Sequence, residues 1–464
     1  MSPSSQNLSL QGNFAPVTEE VTAFDLPVTG RIPAELNGRY LRNGPNPLGL
    51  DDPATHHWFL GDGMVHGVRL RDGKAEWYRN RWVRSASVAE ALGEPPRPGP
   101  VFDGTDFASN THVIGHAGRT LALVESGPRP YELTYELDTV GPCDFGGTLP
   151  AGYAAHTKLD PRTGELHAIT YYWARPDAVQ HVVIDAGGTV IRAQDVPVAD
   201  GPMMHDFALT ENYVILYDLP VTFSMDAAAG GSGFPYMWNE AHGARVGVLP
   251  RSGTGADVRW LDVEPCWVFH TLNAYEDGDR IVLDVARFPQ RFDVSRLAGN
   301  GTPTLTRWVL DLARGRVAEE RLHDRSQEFP RVDERVVAAP HRYGYTAASA
   351  DLTDLIVPDG GETEDLGDEA FGNALIKHDL ARGTAETHEF GRDAAVGEAV
   401  FVPSAPDSAE DDGYAMAFVH NPDRGATDLV ILPAQDFTAD PVATVHLPVR
   451  VPLGFHGSWV SDAS

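Results

Sequence analysis

The chain has 464 residues, 42% hydrophobic and 9% aromatic, enough to bury an extended core in a folded, non-fibrous protein. Asp and Glu number 66 against 36 Lys and Arg, and the resulting net charge of −30 disfavours nucleic acid partners and broad adhesion to an anionic membrane. Cys143 and Cys266 are the two cysteines, too few for a disulfide framework and consistent with a reducing, cytoplasmic setting.

Along the chain, the opening MSPSSQNLSLQGNF has no basic segment followed by an apolar run, so no signal peptide is expected. No stretch approaches the ~20 apolar residues that a membrane-spanning helix requires. Short alternating or β-branched runs then recur around Asp/Gly turns, at 63–80, 156–172, 181–196, 272–288, 308–322 and 374–390. Glycine supplies the positive φ of tight hairpins and Asp satisfies turn amides, so these segments read as antiparallel hairpins. The best helical segment is SASVAEALGE (85–94). Segments 92–106, 226–235 and 358–369, rich in Gly, Pro and acid, are expected outside the strands, and none is long enough to link independent domains. The pattern is that of an all-β protein, either a propeller of divergent blades or a large sandwich. A radial fold has one advantage: it brings distant segments to a common axis.

That advantage bears on four histidines in apolar or small-residue settings: His156, His205, His270 and His456. Their gaps of 49, 65 and 186 residues exclude a local finger or a helix-borne pair. Convergence would make a metal site of four neutral nitrogens, which suits Fe, Cu, Ni or Zn by ligand type. Most of the 18 histidines have no such role to play. His56–His57 and His112/His116 lack any flanking ligand pattern and read as structural. No GxSxG elbow is present, neither cysteine has a catalytic setting, and the glycine clusters lack the context of a phosphate loop.

The segments ELNGRYLRNGPNP (35–47), HHWFLGDGMVHGV (56–68), NTHVIGHAGRTLALVESG (110–127), HTKLDPRTGEL (156–166), PMMHDFALTENYVILYDLP (202–220), EFPR (328–331), GEAVFVP (397–403) and VPLGFHGSWV (451–460) together resemble the carotenoid cleavage oxygenases, bacterial type. The resemblance covers nearly the whole chain. It implies a seven-bladed β-propeller as a single domain over 1–464, with a cap of loops and short helices over an axial metal, and residues 1–30 as an N-terminal arm packed on the propeller. It implies one Fe(II) held by His156, His205, His270 and His456, with O2 as co-substrate and no organic cofactor. Glu125, Glu328 and Glu398 are implied as the carboxylates behind His205, His270 and His456, leaving His156 without one. A carboxylate on the far ring nitrogen would fix tautomer and direction.

The implied substrate is a hydrophobic polyene, a carotenoid or apocarotenoid whose C=C bond is cleaved to two carbonyl products. A stilbenoid or phenylpropene alkene is the alternative, followed by an iron-dependent alkene ester isomerisation and by a non-catalytic, ligand-binding propeller. Thr111, Val124, Met203, Phe288 and Phe455 are candidates for the tunnel wall. Stilbene-cleaving relatives carry a lysine where this chain has Val124, which favours a hydrocarbon-like substrate. The segment SMDAAAGGSGFPY (224–236) is shorter than the apolar insertion of many relatives, so a membrane-facing entrance is in question. The remaining expectations are a cytoplasmic protein with at most a weak peripheral membrane contact and no obligate protein partner.

Overall fold

The computed structural model describes residues 7–50, 53, 56–290, 301–348 and 372–462. Seven antiparallel sheets of four to six strands follow one another as the blades of a β-propeller, with one additional two-stranded hairpin. Each of the six hairpins read from the sequence pairs as expected. Local chemistry sets their turns. Between Gly63–Arg71 and Lys74–Trp82 the turn residues Asp72 (φ 48°) and Gly73 (φ 73°) are both left-handed. That is the geometry whose twist matches two paired strands, and Asp and Gly tolerate it best.

The ring is closed twice. The C-terminal strand Gly457–Ser461 pairs with Gly38–Pro45 in the first blade. The N-terminal strand Val28–Gly30 pairs with Ala443–His446 in the last. Thr22–Phe24 adds a further edge to the first blade, along Lys74–Trp82. The seam needs glycine at 457, because a Cβ there would lie 2.4 Å from the Leu41 carbonyl oxygen. The core lies between blades; the largest hydrophobic cluster contains Trp267, Trp308, Phe207 and Phe288, all buried.

Helices are few and short. Ala86–Ala91 falls within the expected 85–94 segment and is capped by the Ser85 hydroxyl, which accepts from the Val88 amide. Met225–Ala229, capped by Ser224, turns the chain between the strands Val221–Phe223 and Tyr236–Trp238 of the extra hairpin. The 226–235 segment thus holds a helical turn and the start of no strand, while 358–369 lies outside the described residues. Among the described residues no helix is long and apolar enough to cross a membrane.

Candidate metal centre and cavity

The four histidines come from four blades. His156 and His456 directly precede the strands Thr157–Leu159 and Gly457–Ser461, His205 lies two residues before Phe207–Leu209, and His270 lies within Trp267–Asp277. Each of these strands is an end strand of its sheet, so its start lies at the propeller axis. There the rings meet. His156 Nε2 is 3.0 Å from His205 Nε2, which is 3.4 Å from His270 Nε2. The ligand-capable nitrogens of His156, His270 and His456 all lie within 4.8 Å of one another.

On the far side of three rings stand carboxylates. His205 Nδ1 lies 2.8 Å from Glu125, and the hydroxyl of Tyr171 bonds the same carboxylate. His270 Nδ1 donates to Glu328 Oε2 at 2.5 Å. His456 Nδ1 donates to Glu398 Oε1 at 2.9 Å, while Glu398 Oε2 accepts from the Gly457 amide at 2.9 Å and from Arg331 at 2.8 Å. Among the described residues no carboxylate lies against His156. The backbone is bent to achieve this. Phe329, directly after Glu328, is left-handed (φ 51°), and the strand register shifts between Glu328 and Arg331. Ser126, directly after Glu125, is also left-handed (φ 66°). Such conformations cost about 1–3 kcal/mol each and persist only where their surroundings enforce them.

Burial holds His156 and His456 neutral, and the neighbouring imidazoles push in the same direction. Burial likewise lowers His270 to about 3. For His205 burial acts against the cation too, but Glu125 outweighs it and raises that one ring. With the Nδ1 atoms of His205, His270 and His456 facing carboxylates, these rings in their neutral form turn Nε2 lone pairs toward the shared centre. A cation at the centre satisfies all of them, so the residues fit a metal ion.

A cavity of about 700 Å³ reaches His205, His270 and His456 from the cap side. Thr111, Val124 and Phe455 line it. Met203 and Phe288 do not: both are buried in the hydrophobic core. Phe288 pairs in register with Trp267 and packs edge-on against Phe269, so it backs the wall instead of forming it. The wall proper is made by Trp58, Phe59, Phe234, Phe269 and Phe329. Trp58 and Phe59 occur in a 3-10 turn capped by His57, and both pack on Phe455, with ring centroids 4.6 and 5.7 Å away. Sequence reading passed over that pair, although it stands in the HHWFLGDG segment. Leu60, Phe107 and Trp173 line the cavity and are also 41–47% exposed, which makes them its rim. His112 and His116 hydrogen-bond backbone carbonyls, of Ala155 and Asp185, as structural histidines do.

Comparison with known proteins agrees with this architecture. Residues 14–461 match the retinal pigment epithelial membrane protein family. The chain is 48% identical to the carotenoid cleavage oxygenase of Mycobacterium tuberculosis, over 98% of both proteins. Its structure is similar to that of a lignostilbene dioxygenase of Pseudomonas brassicacearum (TM-score 0.85, 26% identity, 99% of this chain and 100% of the other). It is similar also to a cobalt-substituted apocarotenoid oxygenase of Synechocystis (TM-score 0.83, 27% identity, 96% and 97%). With the fold, the ring of imidazoles and these likenesses in agreement, the chain belongs to the carotenoid cleavage oxygenase family.

Proposed function

We propose that this dioxygenase binds one Fe(II) at His156, His205, His270 and His456 and cleaves a C=C bond of a carotenoid or apocarotenoid into two carbonyl products, with no organic cofactor. The observation that carries the reading is the opening of the imidazole cluster onto a large, aromatic-walled cavity. A ferrous ion bound there supplies the activation of O2. The chain's own residues do the rest. Glu125, Glu328 and Glu398 keep three rings in the tautomer that presents Nε2. Trp58, Phe59, Phe269 and Phe455 exclude water and hold a conjugated chain in one position, and position decides which of many similar double bonds is attacked. Thr111, whose hydroxyl donates to Asn110 and whose carbonyl accepts from the His456 amide, restricts the space beside the cluster.

The exposed rim of Leu60, Phe107 and Trp173 supports entry of an apolar substrate from that side, with a weak peripheral membrane contact of a cytoplasmic protein. The net charge of −30 supports neither nucleic acid nor a strongly anionic surface as partner.

One observation favours a second reading, cleavage of a stilbenoid or phenylpropene alkene. Ser126 Oγ and Tyr236 Oη, 3.4 Å apart, put hydroxyls on the cavity wall next to Glu125, where a phenolic oxygen would find partners. The apolar Val124 weighs against it. The test is aerobic incubation of Fe(II)-loaded protein with β-apocarotenals and, separately, a hydroxylated stilbene, with products identified by mass. Aldehyde fragments from the apocarotenals alone are expected. Cleavage of the stilbene alone would establish the second reading, and an iron-loaded protein that consumes no O2 with either class would overturn both.

A further inference from the structure

A second cavity, of about 300 Å³, reaches the same imidazoles from the opposite direction. It runs along the propeller axis and touches His156, His270 and His456, the last two being shared with the cap-side cavity. Its character is different. Where the cap-side cavity is walled mainly by aromatic rings, this channel sets Lys158, Asp206, Asn273, Arg331 and Glu398 among aliphatic side chains. It ends near Glu334, whose side chain is 52% exposed.

Strand periodicity explains what stands across it. Side chains two residues apart share a face, about 7 Å along an extended strand. Lys158 therefore follows His156 on the channel side, one layer away from the imidazoles. Its ammonium lies 3.0 Å from one oxygen of Asp206 and 3.1 Å from the other, and Asp206 directly follows His205. Asp206 Oδ2 also accepts from the Thr271 amide, directly after His270, at 2.8 Å. One ion pair thus ties together the segments of three of the four histidines. Asp206 is buried, whereas the Lys158 side chain is 20% exposed.

We propose that this axial channel is the path by which the metal ion enters and leaves the four-histidine centre, and that the Lys158–Asp206 ion pair is its gate. The inference rests on the centre being a metal site. A dication carries tightly held water, and the cap-side cavity, walled mainly by rings such as Trp58, Phe59, Phe269 and Phe455, offers few polar groups to replace it. The channel offers carboxylates, an amide and hydroxyls instead. Closed, the Lys158 ammonium repels a dication on either side of it and neutralises Asp206. Open, Asp206 becomes the first carboxylate that an entering ion meets before the imidazoles.

The test measures metal exchange in the full chain: loss of Co(II) and Fe(II) to an excess of chelator, uptake of the same ions by the metal-free protein, and affinity by competition. Lys158→Met should accelerate both loss and uptake about tenfold, since a charge at this distance is only partly screened, with affinity changed less than about threefold. Lys158→Arg should exchange like the wild type. Ser458→Phe, which narrows the channel from the strand after His456, should slow both rates, so the two variants move in opposite directions. Wild-type rates in both variants, or a wild-type rate that falls when a saturated twenty-carbon alcohol fills the cap-side cavity, would overturn the route. Wild-type protein that holds neither ion overturns the metal reading itself, which is a different result from metal-bound variants that exchange normally.

Discussion

Replacing Glu398 by glutamine probes the centre most sharply, because the two oxygens of this carboxylate are committed to different partners. Oε1 accepts from His456 Nδ1, and Oε2 accepts from the Gly457 amide and from Arg331. A glutamine has one carbonyl oxygen and one amino group, so a donor must face a donor on one side. Two donors, one of them the partly buried guanidinium of Arg331, hold the carbonyl at the Oε2 position. The amino group then faces His456 and stabilises the tautomer with Nδ1 bare and Nε2 protonated, which cannot bind a metal. Hydrogen bonds to charged groups contribute about 1.5–3 kcal/mol, and at 1.4 kcal/mol per factor of ten the expected loss of Fe(II) affinity is roughly 10–100-fold, the range usual for such supporting carboxylates. Competition with a chelator measures it, and urea unfolding of the metal-free protein separates the effect from a general loss of stability. Affinity within twofold of the wild type would refute the tautomer argument. So would an equal loss on adding Glu398→Gln to His456→Ala, because no coupling would then exist between the pair.

Glu328→Gln should be milder, about tenfold or less, because His270 and the Phe329 amide both donate to the single oxygen Oε2, which an amide carbonyl can replace. His270→Ala should abolish turnover and leave the melting temperature of the metal-free protein nearly unchanged; wild-type turnover with full metal content would remove His270 from the centre. Gly457→Ala should cost about 1–3 kcal/mol in urea unfolding, as overpacking does, because the added methyl meets the Leu41 carbonyl. Acid should weaken the metal-free protein through its buried histidines. Burial lowers His66 and His378 from 6.5 to about 3, so the native state keeps them neutral while the unfolded chain takes up protons below 6.5. Their contribution is intact above pH 6.5 and is lost as pH falls toward 3, about 2 kcal/mol for each at pH 5. A double variant with glutamine at both positions should show a shallower decline between pH 7 and 5, and an unchanged slope would count against this account.

Much of the architecture was legible because its signals are local. Asp72–Gly73 marks a hairpin by its own backbone preference, whatever surrounds it. The histidine cluster was legible in a different way: the spacing of the four histidines excludes small motifs but cannot show convergence, and the resemblance of whole segments to a family suggested that step. The cavity wall was read by proximity along the chain, and there the reading was uneven. Thr111, Val124 and Phe455 face the cavity, whereas Met203, only two residues from His205, turns into the core. Nearness in sequence does not fix which way a side chain points outside a regular strand. Trp58 and Phe59 reach the centre only through tertiary packing, so nothing local identified them. Arg331 stood in plain view in EFPR, yet its hold on Glu398 depends on a blade boundary that no periodicity encodes.

The seam has a consequence for biogenesis. His456 stands one residue before the strand that zips the chain's end onto its beginning, so its imidazole arrives only when the circle is fastened. A metal ion held by all four rings therefore waits for that closure, and its retention reports that the seam strand has docked.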